Sequence, residues 1–475
     1  MIQLNPEQAQ ILMTAGASSA AVKNFELALQ GLRLSERITR ESLSADSHSA
    51  QQIYRSGREL LATWPPKPKR DAAQAQGADQ VKGILRQVRN VFTGTYVELI
   101  YRQVTQEYER PVRAEVLIWE VAELCPGLCP SHKELAGELQ VPLAGKEGLE
   151  VAQSDFLSHV LGHPRAGAHL MDAMLRPLPQ SLRLLERFRH DGRLDLGTVQ
   201  VERRGRLGCV YFNNLPYLNA EDDSTLLPFE TAVDLVLLDP GIAAGLLRGN
   251  PVAHPKYQGK RIFSAGLNLT HLYQGNLSLM FYVIRDLGVV NKLYRGLTLT
   301  PHEPGRPEST QEKTWIGALE GFAIGGGCQL LLVLDYVIAE QGSYFNLPAR
   351  KEGIIPGAAP LRLPRFVGQR AAQQGILFDK TFAVDTLEAR TLVNEVVDMA
   401  GMEAAIERVA SEATEGGVVS AGANRKALRL AHEPPELFRQ YMALYCREQA
   451  ECHFSPTLVS NLERYWAARK HRGQQ

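Results

Sequence analysis

The chain has no surplus of charge of either sign. Lys plus Arg and Asp plus Glu come to 52 each, a formal net charge of zero. Nucleic-acid-binding proteins usually carry a basic excess, so this balance argues against that class. Cysteine is scarce, with six residues scattered through 475. That excludes a disulfide framework. No apolar run reaches the roughly 18–20 residues of a membrane span. The opening MIQLNPEQAQ lacks a charged start followed by an apolar stretch, so no secretory signal is read there. A reduced, cytoplasmic setting is expected. Several catalytic signatures are also missing. GxGxxG is absent, no GK[ST] follows a glycine-rich loop, and neither GxSxG nor HExxH occurs. Those absences remove a dinucleotide fingerprint, a phosphate loop, a nucleophile elbow and a zinc-protease helix. There is no internal repeat and no long low-complexity tract.

What is present is a globular composition, 44% apolar and 22% charged. A chain of 475 residues exceeds one ordinary core, so two or three domains are expected. From Asn5 to about Arg193 the pattern is helical. Asn24–Ile38 and Lys82–Val104 carry apolar residues at helical spacing. Proline-punctuated breaks fall at Thr63–Gly77 and Leu124–His132, and Asp155–Phe188 reads as two helices. The rhythm changes near Leu194. Gly197–Asn214 reads as two strands about a turn at Arg204–Gly205. A helix, the segment KRIFSAG and a long helix near Leu277–Val290 come next. KTWIGALEGFAI reads as a strand entering a glycine turn, CQLLLVLDYVIA as an apolar helix leaving it, and Tyr336–Pro348 as two short strands. The expected organisation is α/β: a helical domain over 1–193, a mixed strand–helix core over 194–402, and a helical segment over 403–475.

The most informative segments are FSAGLNL (Phe263–Leu269) and GFAIGGGCQ (Gly321–Gln329). Each places glycine in a turn, and the second opens a helix. A helix start has unpaired N–H groups and a partial positive charge. Two such turns facing each other would offer two donors to one developing oxyanion.

With YFNNLPYLNAEDD (Tyr211–Asp223) and KEGIIPG (Lys351–Gly357), these segments resemble the crotonase (enoyl-CoA hydratase/isomerase) superfamily over about Gly197–Met402. The resemblance implies a spiral of ββα turns that binds acyl-CoA thioesters. It places the two oxyanion N–H groups on Leu267 and Gly326. Ala265, Gly266, Asn268, Leu269, Gly325 and Gly327 would then line the acyl site beside them. Hydratases of the superfamily carry glutamates where this chain has Gln329 and Ala349. An amide and a methyl group exchange no proton at neutral pH, so water addition by that route is not expected.

GFAIGGGCQLLL, FNLPARKEGIIPG, Ala253–Gly275 and YCREQAECHFSPTLVSNLERYW are more similar to one branch, the cofactor-independent (3,5-dihydroxyphenyl)acetyl-CoA 1,2-dioxygenases of glycopeptide-antibiotic biosynthesis. That branch implies an enolate that reacts directly with dioxygen, with no metal or flavin. It also implies roles for particular residues. Glu221 would accept hydrogen bonds from a phenol; the alternative is a carboxylate at a helix N-terminus. Arg285 would serve the active site, with Arg295 the other candidate; the alternative is an exposed helix arginine paired with Asp286. Gln329 would face the substrate or a peroxide oxygen; the alternative is a capping amide. His254, Pro255, Lys256 and Tyr257 would line the CoA or acyl pocket. Lys260 and Arg261 read as CoA-phosphate contacts or as solvated charge. Cys125, Cys129 and His132 are one ligand short of a zinc site, and Cys328 reads as packing. No metal or other cofactor is expected, only an acyl-CoA and dioxygen. Crotonases commonly assemble as trimers or dimers of trimers, and the apolar C-terminal helices suit such an interface. The rival readings are an aryl-CoA thioester hydrolase or isomerase and a non-catalytic acyl-CoA-binding homologue.

Overall fold

Strand β3 (Leu207–Phe212) is buried at every position, and its two faces go to different layers. Cys209 and Tyr211 pack with Ile316, Ile338 and the helix Met402–Thr414. Val210 and Phe212 pack with Phe229, Val233 and Val236 of the helix Asp223–Leu238. An apolar run without alternation is the pattern of a strand covered on both sides.

The computed structural model describes residues 2–300 and 309–467. They form two compact units. One comprises the chain as far as Leu170 with Tyr273–Met280 and Met442–Pro456; the other comprises Met171–Leu272, Phe281–Tyr441 and the chain from Thr457.

The first unit is helical. Its longest element is Ala72–Val104, 33 residues. Asp71 accepts from the Gln74 N–H while the Gln74 side chain accepts from the Asp71 N–H. This reciprocal cap starts the helix at Ala72, inside the break expected over Thr63–Gly77. The helix expected over Asn24–Ile38 stops at Gln30. Gly31 caps it, and the Ser35 N–H and hydroxyl donate to buried Asp46, which holds the following stretch out of helix. Asp155–Phe188 falls across three helices rather than two, because Pro164 and Pro179 each open a new one.

The second unit carries the strands. They are β1 (Arg193–Asp195), β2 (Val199–Arg204), β3, β4 (Ala244–Gly249), β5 (Leu297–Thr298), β6 (Thr310–Gln311), β7 (Thr314–Leu319), β8 (Phe322–Ile324), β9 (Tyr336–Glu340), β10 (Tyr344–Asn346), β11 (Thr381–Ala383) and β12 (Glu395–Val397). The main sheet runs β1-β2-β3-β4-β7-β9-β12. The first three strands are antiparallel, and every pair from β3 onward is parallel. A smaller sheet runs β11-β10-β8. The apolar helix after the second glycine turn is short, Gly326–Leu331. Asp335 ends it by exchanging two hydrogen bonds with Trp315 of β7, which sets β9 alongside. The long helix near Leu277–Val290 is also interrupted. It runs as Leu279–Arg285, a π turn over Asp286–Val290 with Gly288 at φ −91° and ψ −105°, then Asn291–Arg295.

Phe229 sits 1% exposed between the sheet and its covering helix. Phe229→Ala is expected to lower stability by about 3–5 kcal/mol in urea denaturation. Leu182→Ala, at a 56% exposed position, is the control and should change it by less than about 0.5 kcal/mol.

Candidate active site

The first glycine turn is held from both sides by isolated β-bridges. Ser264 uses its own N–H and C=O on β8, bonding Phe322 O and Ile324 N. Glu221 does the same opposite Leu267. Its N–H donates to Gly266 O at 2.6 Å, and its C=O accepts from Asn268 N at 2.8 Å. Because Glu221 bonds the residues flanking Leu267, the peptide N–H of Leu267 points to the other edge, away from that bridge. The Ser264 hydroxyl closes the turn, donating to Asn219 O and accepting from Gly266 N.

The second turn lies directly against the first. Gly266 has φ +82°, and a Cβ there would stand 2.4 Å from Ile324 O and 3.0 Å from Gly326 N. Only glycine allows that approach. Gly325, at φ +51°, caps the helix that begins at Gly326, so the Gly326 N–H has no intrahelical acceptor. The structure thus brings Leu267 and Gly326 into adjacent turns, the latter at a helix start.

Arg285 joins the pieces. Its Nε and one terminal nitrogen donate to the two carboxylate oxygens of Glu221, both at 2.8 Å. That same nitrogen donates to Gly326 O at 3.0 Å, and the other donates to Gln329 Oε1 at 2.8 Å. Arg285 and Glu221 are each 3% exposed. A guanidinium only donates, so it turns the amide oxygen of Gln329 toward itself and leaves the amide NH2 on the other side. The alternatives drawn from sequence do not hold for these residues. Arg285 is buried, and its carboxylate partner is Glu221. The helix cap is Asp222, whose side chain accepts from Ser224 N. Asp286 instead accepts from Ala358 N, and burial pushes its carboxyl up. Arg295 belongs to another cluster, where it, Arg362 and Arg365 surround Glu433 and hold that carboxyl at about 2 against its burial.

The remaining candidates divide. Ala265, Asn268 and Leu269 continue the first turn, with Asn268 Nδ2 donating to Asp222 at 2.8 Å. Gly327 packs against Ser264. His254, Pro255, Lys256 and Tyr257 form a more open turn. There His254 Nδ1 accepts from Lys256 N, and the Tyr257 ring packs edge-on against Phe322. No hydrogen bond among the described residues links this turn to Arg285. Arg261 donates to Gly249 O, and Lys260 is exposed. Cys328 is buried, which pushes its thiol up. Cys125 is buried as well, its thiol pushed up to about 11, and His132 stacks on Trp119. Among the described residues no group of three or more His, Cys, Asp or Glu is arranged to hold a metal ion.

One titratable residue was not singled out from sequence. Glu352 lies on the short helix Ala349–Glu352, 8% exposed. A Cβ on Gly325 would stand 3.6 Å from both of its carboxylate oxygens. Among the described residues no hydrogen bond or ion pair reaches that carboxylate. Burial, with Asp379 adding to it, pushes its pKa up to about 8. In sequence it closes the charged run Arg350-Lys351-Glu352 ahead of GIIPG, and nothing there sets it apart from a solvated face.

Comparison with known proteins places these residues in context. Residues 258–444 match the family model described as enoyl-CoA hydratase/isomerase. The chain is 41% identical to a (3,5-dihydroxyphenyl)acetyl-CoA 1,2-dioxygenase of Amycolatopsis orientalis over 82% of its own length and 89% of the relative's. It is 28% identical to a crotonyl-CoA hydratase of Syntrophomonas wolfei over 48% of its length and 80% of the relative's. Among solved structures, an enoyl-CoA hydratase/isomerase from Xanthobacter autotrophicus aligns with a TM-score of 0.47 at 22% identity, covering 59% of this chain and 97% of that one.

A carboxyl raised from 4.5 in the unfolded chain to about 8 in the folded one makes folding less favourable as pH rises between those values. Glu352→Gln removes this penalty. Its stability relative to wild type is expected to climb from pH 5 to pH 8, reaching a gap of a few kcal/mol, with the melting temperature rising in step. Scanning calorimetry at several pH values reads it; a gap constant with pH would contradict the assignment.

Proposed function

Since this chain belongs to the enoyl-CoA hydratase/isomerase (crotonase) superfamily, we propose that it is an oxidoreductase acting on (3,5-dihydroxyphenyl)acetyl-CoA, a 1,2-dioxygenase that yields 3,5-dihydroxyphenylglyoxylate and CoA. The likeness to the Amycolatopsis dioxygenase across most of both chains carries the reading. The adjacency of the two turns and the non-carboxylate residues at Gln329 and Ala349 support it.

In this reading the thioester oxygen sits between the N–H groups of Leu267 and Gly326. Loss of an α-proton leaves an enolate whose charge falls on that oxygen, where two fixed donors and a helix start stabilise it. One donor of this kind is worth about 3–4 kcal/mol. The enolate gives an electron to dioxygen, so the substrate does the work of a metal or flavin. The two radicals combine as a peroxide on the α-carbon. The peroxide attacks the thioester carbonyl and expels CoA; opening of the O–O bond, with loss of the second α-hydrogen as a proton, gives the α-keto acid. Both dioxygen atoms and all electrons are then accounted for without an outside reductant.

Arg285 and Glu221 position the aryl end, and the amide NH2 of Gln329 is placed to donate to a substrate or peroxide oxygen. Ala265, Gly266, Asn268, Leu269, Gly325 and Gly327 shape the cleft, with the turn His254–Tyr257 toward the CoA end. The reading includes a homotrimer or hexamer in the cytoplasm. Exposed Val419, Leu428 and Leu430 on the helix Val418–His432 support assembly, and six free cysteines suit a reducing compartment.

Purified protein given 3,5-dihydroxyphenylacetyl-CoA in air should consume one dioxygen per CoA released, with no added metal. Loss of activity after exhaustive chelation would refute the cofactor-free part. CoA release without oxygen at the aerobic rate would refute the oxygenase. Arg285→Ala should lower turnover by roughly 100-fold or more. Gln329→Glu should lower it at least about tenfold, because a carboxylate there competes with Glu221 for Arg285 and opposes the enolate.

A further inference from the structure

Enolate formation needs a base, and the position of the two turns limits where it can stand. A thioester oxygen held by the Gly326 N–H lies about 2.9 Å from that nitrogen. Its α-carbon lies about 2.4 Å from the oxygen, from standard bond lengths. The base must therefore face the few residues around Gly325, Gly326 and Gly266.

Four titratable groups are candidates, and three are committed elsewhere. Glu221 gives both oxygens to Arg285. Asp286 accepts the Ala358 N–H and lies against Gly357, where a Cβ would meet its carboxylate at 2.8 Å. His254 spends Nδ1 on the Lys256 N–H in the open turn. Glu352 remains: buried, with both oxygens 3.6 Å from where a Cβ on Gly325 would stand and neither engaged among the described residues.

Resting on the aryl-acetyl-CoA reading above, we propose that Glu352 takes the α-proton of the bound thioester. The α-carbon–hydrogen bond breaks, an O–H bond forms on the Glu352 carboxylate, and the electron pair moves to the thioester oxygen between Leu267 and Gly326. The proton then passes to water as the site turns over. Glu352 stands one helical turn beyond Ala349, the position at which the resemblance puts a glutamate in hydratases. Its surroundings suit the task. A base is most effective when its pKa lies near the working pH. Burial brings Glu352 there, and the charged group that acts on it is Asp379, itself held by Arg350 and Lys351 on Glu352's own helix. Asp379 adds to the rise rather than cancelling it.

The experiment separates proton removal from oxygen chemistry. Wild-type protein and the E352Q and E352D variants are incubated with 3,5-dihydroxyphenylacetyl-CoA in D2O without oxygen, and α-deuterium uptake is read by mass spectrometry. In air, oxygen uptake is read in parallel. Wild type should exchange the α-hydrogen at a rate that rises with pH and levels off above about pH 8. E352Q should exchange at least about 100-fold more slowly and lose oxygen uptake in step. E352D, which keeps a carboxylate one methylene back, should recover part of both. Exchange by E352Q at the wild-type rate overturns the assignment while leaving the oxygenase reading intact. Absence of both exchange and oxygen uptake in wild type overturns the two together. Should E352Q fail to fold by circular dichroism, the wild-type profile decides, and an exchange rate flat from pH 6 to pH 10 overturns the proposal.

Discussion

The buried pair of Glu221 and Arg285 ties the side chains of the site to both glycine turns. The backbone of Glu221 bridges to the first turn at Leu267, and its carboxylate holds Arg285. Arg285 in turn reaches Gly326 O in the second turn and Gln329 one helical turn beyond. Each buried ion costs several kcal/mol in lost hydration. Here the cost is offset by a bidentate pair in which both carboxylate oxygens are used and the guanidinium makes two further bonds. The result is a pair with no net charge beside a helix start. Arg285 is also the last α-helical residue before the π turn at Asp286–Val290. π turns inside helices are frequent at functional sites. A continuous helix would rotate Asn291–Arg295 to a different face relative to Arg285, so the break lets one face serve the site and the next serve the core.

The core elements most legible in the sequence are those with a strong local signal. Strands β2 and β3 flank the expected turn, β9 and β10 fall inside Tyr336–Pro348, and the two glycine turns lie where their motifs put them. Apart from Asp155–Phe188, where Pro164 and Pro179 divide the helices locally, the failures come from a long-range contact overriding a local pattern. CQLLLVLDYVIA is apolar enough for a helix, but Asp335 is bonded to Trp315 on β7, and the chain becomes strand. GLRLSERI keeps helical spacing, yet buried Asp46 captures Ser35. β4 follows a turn at Asp239-Pro240-Gly241, but its short apolar run AGLL does not alternate, and its place between β3 and β7 makes it a strand.

The site was legible in its backbone and less so in its side chains. Glycine spacing carries the adjacency of the two turns because only glycine permits the 2.4 Å approach at Gly266. Glu221 and Arg285 are 64 positions apart, and a carboxylate near a helix start reads equally well as a cap until Asp222 is seen to fill that role. Glu352 was illegible for a different reason. In sequence it is one of three charged residues in a row, ARKE, which reads as a solvated face. In the fold Arg350 and Lys351 turn to Asp379 while Glu352 turns inward to Gly325.

That inward turn changes what the missing hydratase carboxylates mean. A hydratase needs two acids poised on one water, one to take its proton and one to donate to carbon. Here an amide at Gln329 is bound to Arg285 and a methyl stands at Ala349, and of the two carboxylates beside the turns Glu221 gives both oxygens to Arg285, which leaves Glu352. A single carboxyl raised to about 8 is mostly neutral at pH 7, so it adds little negative charge beside an enolate. In the proposed role its ionised fraction still removes one proton per turnover. On the proposed reading a neutral ion pair, a neutral amide and a mostly neutral acid surround two N–H donors, so the field at the oxyanion would come from the donors and the helix start. On the proposed reading this favours forming an electron-rich enolate and holding it away from water, which is the condition under which dioxygen becomes its partner.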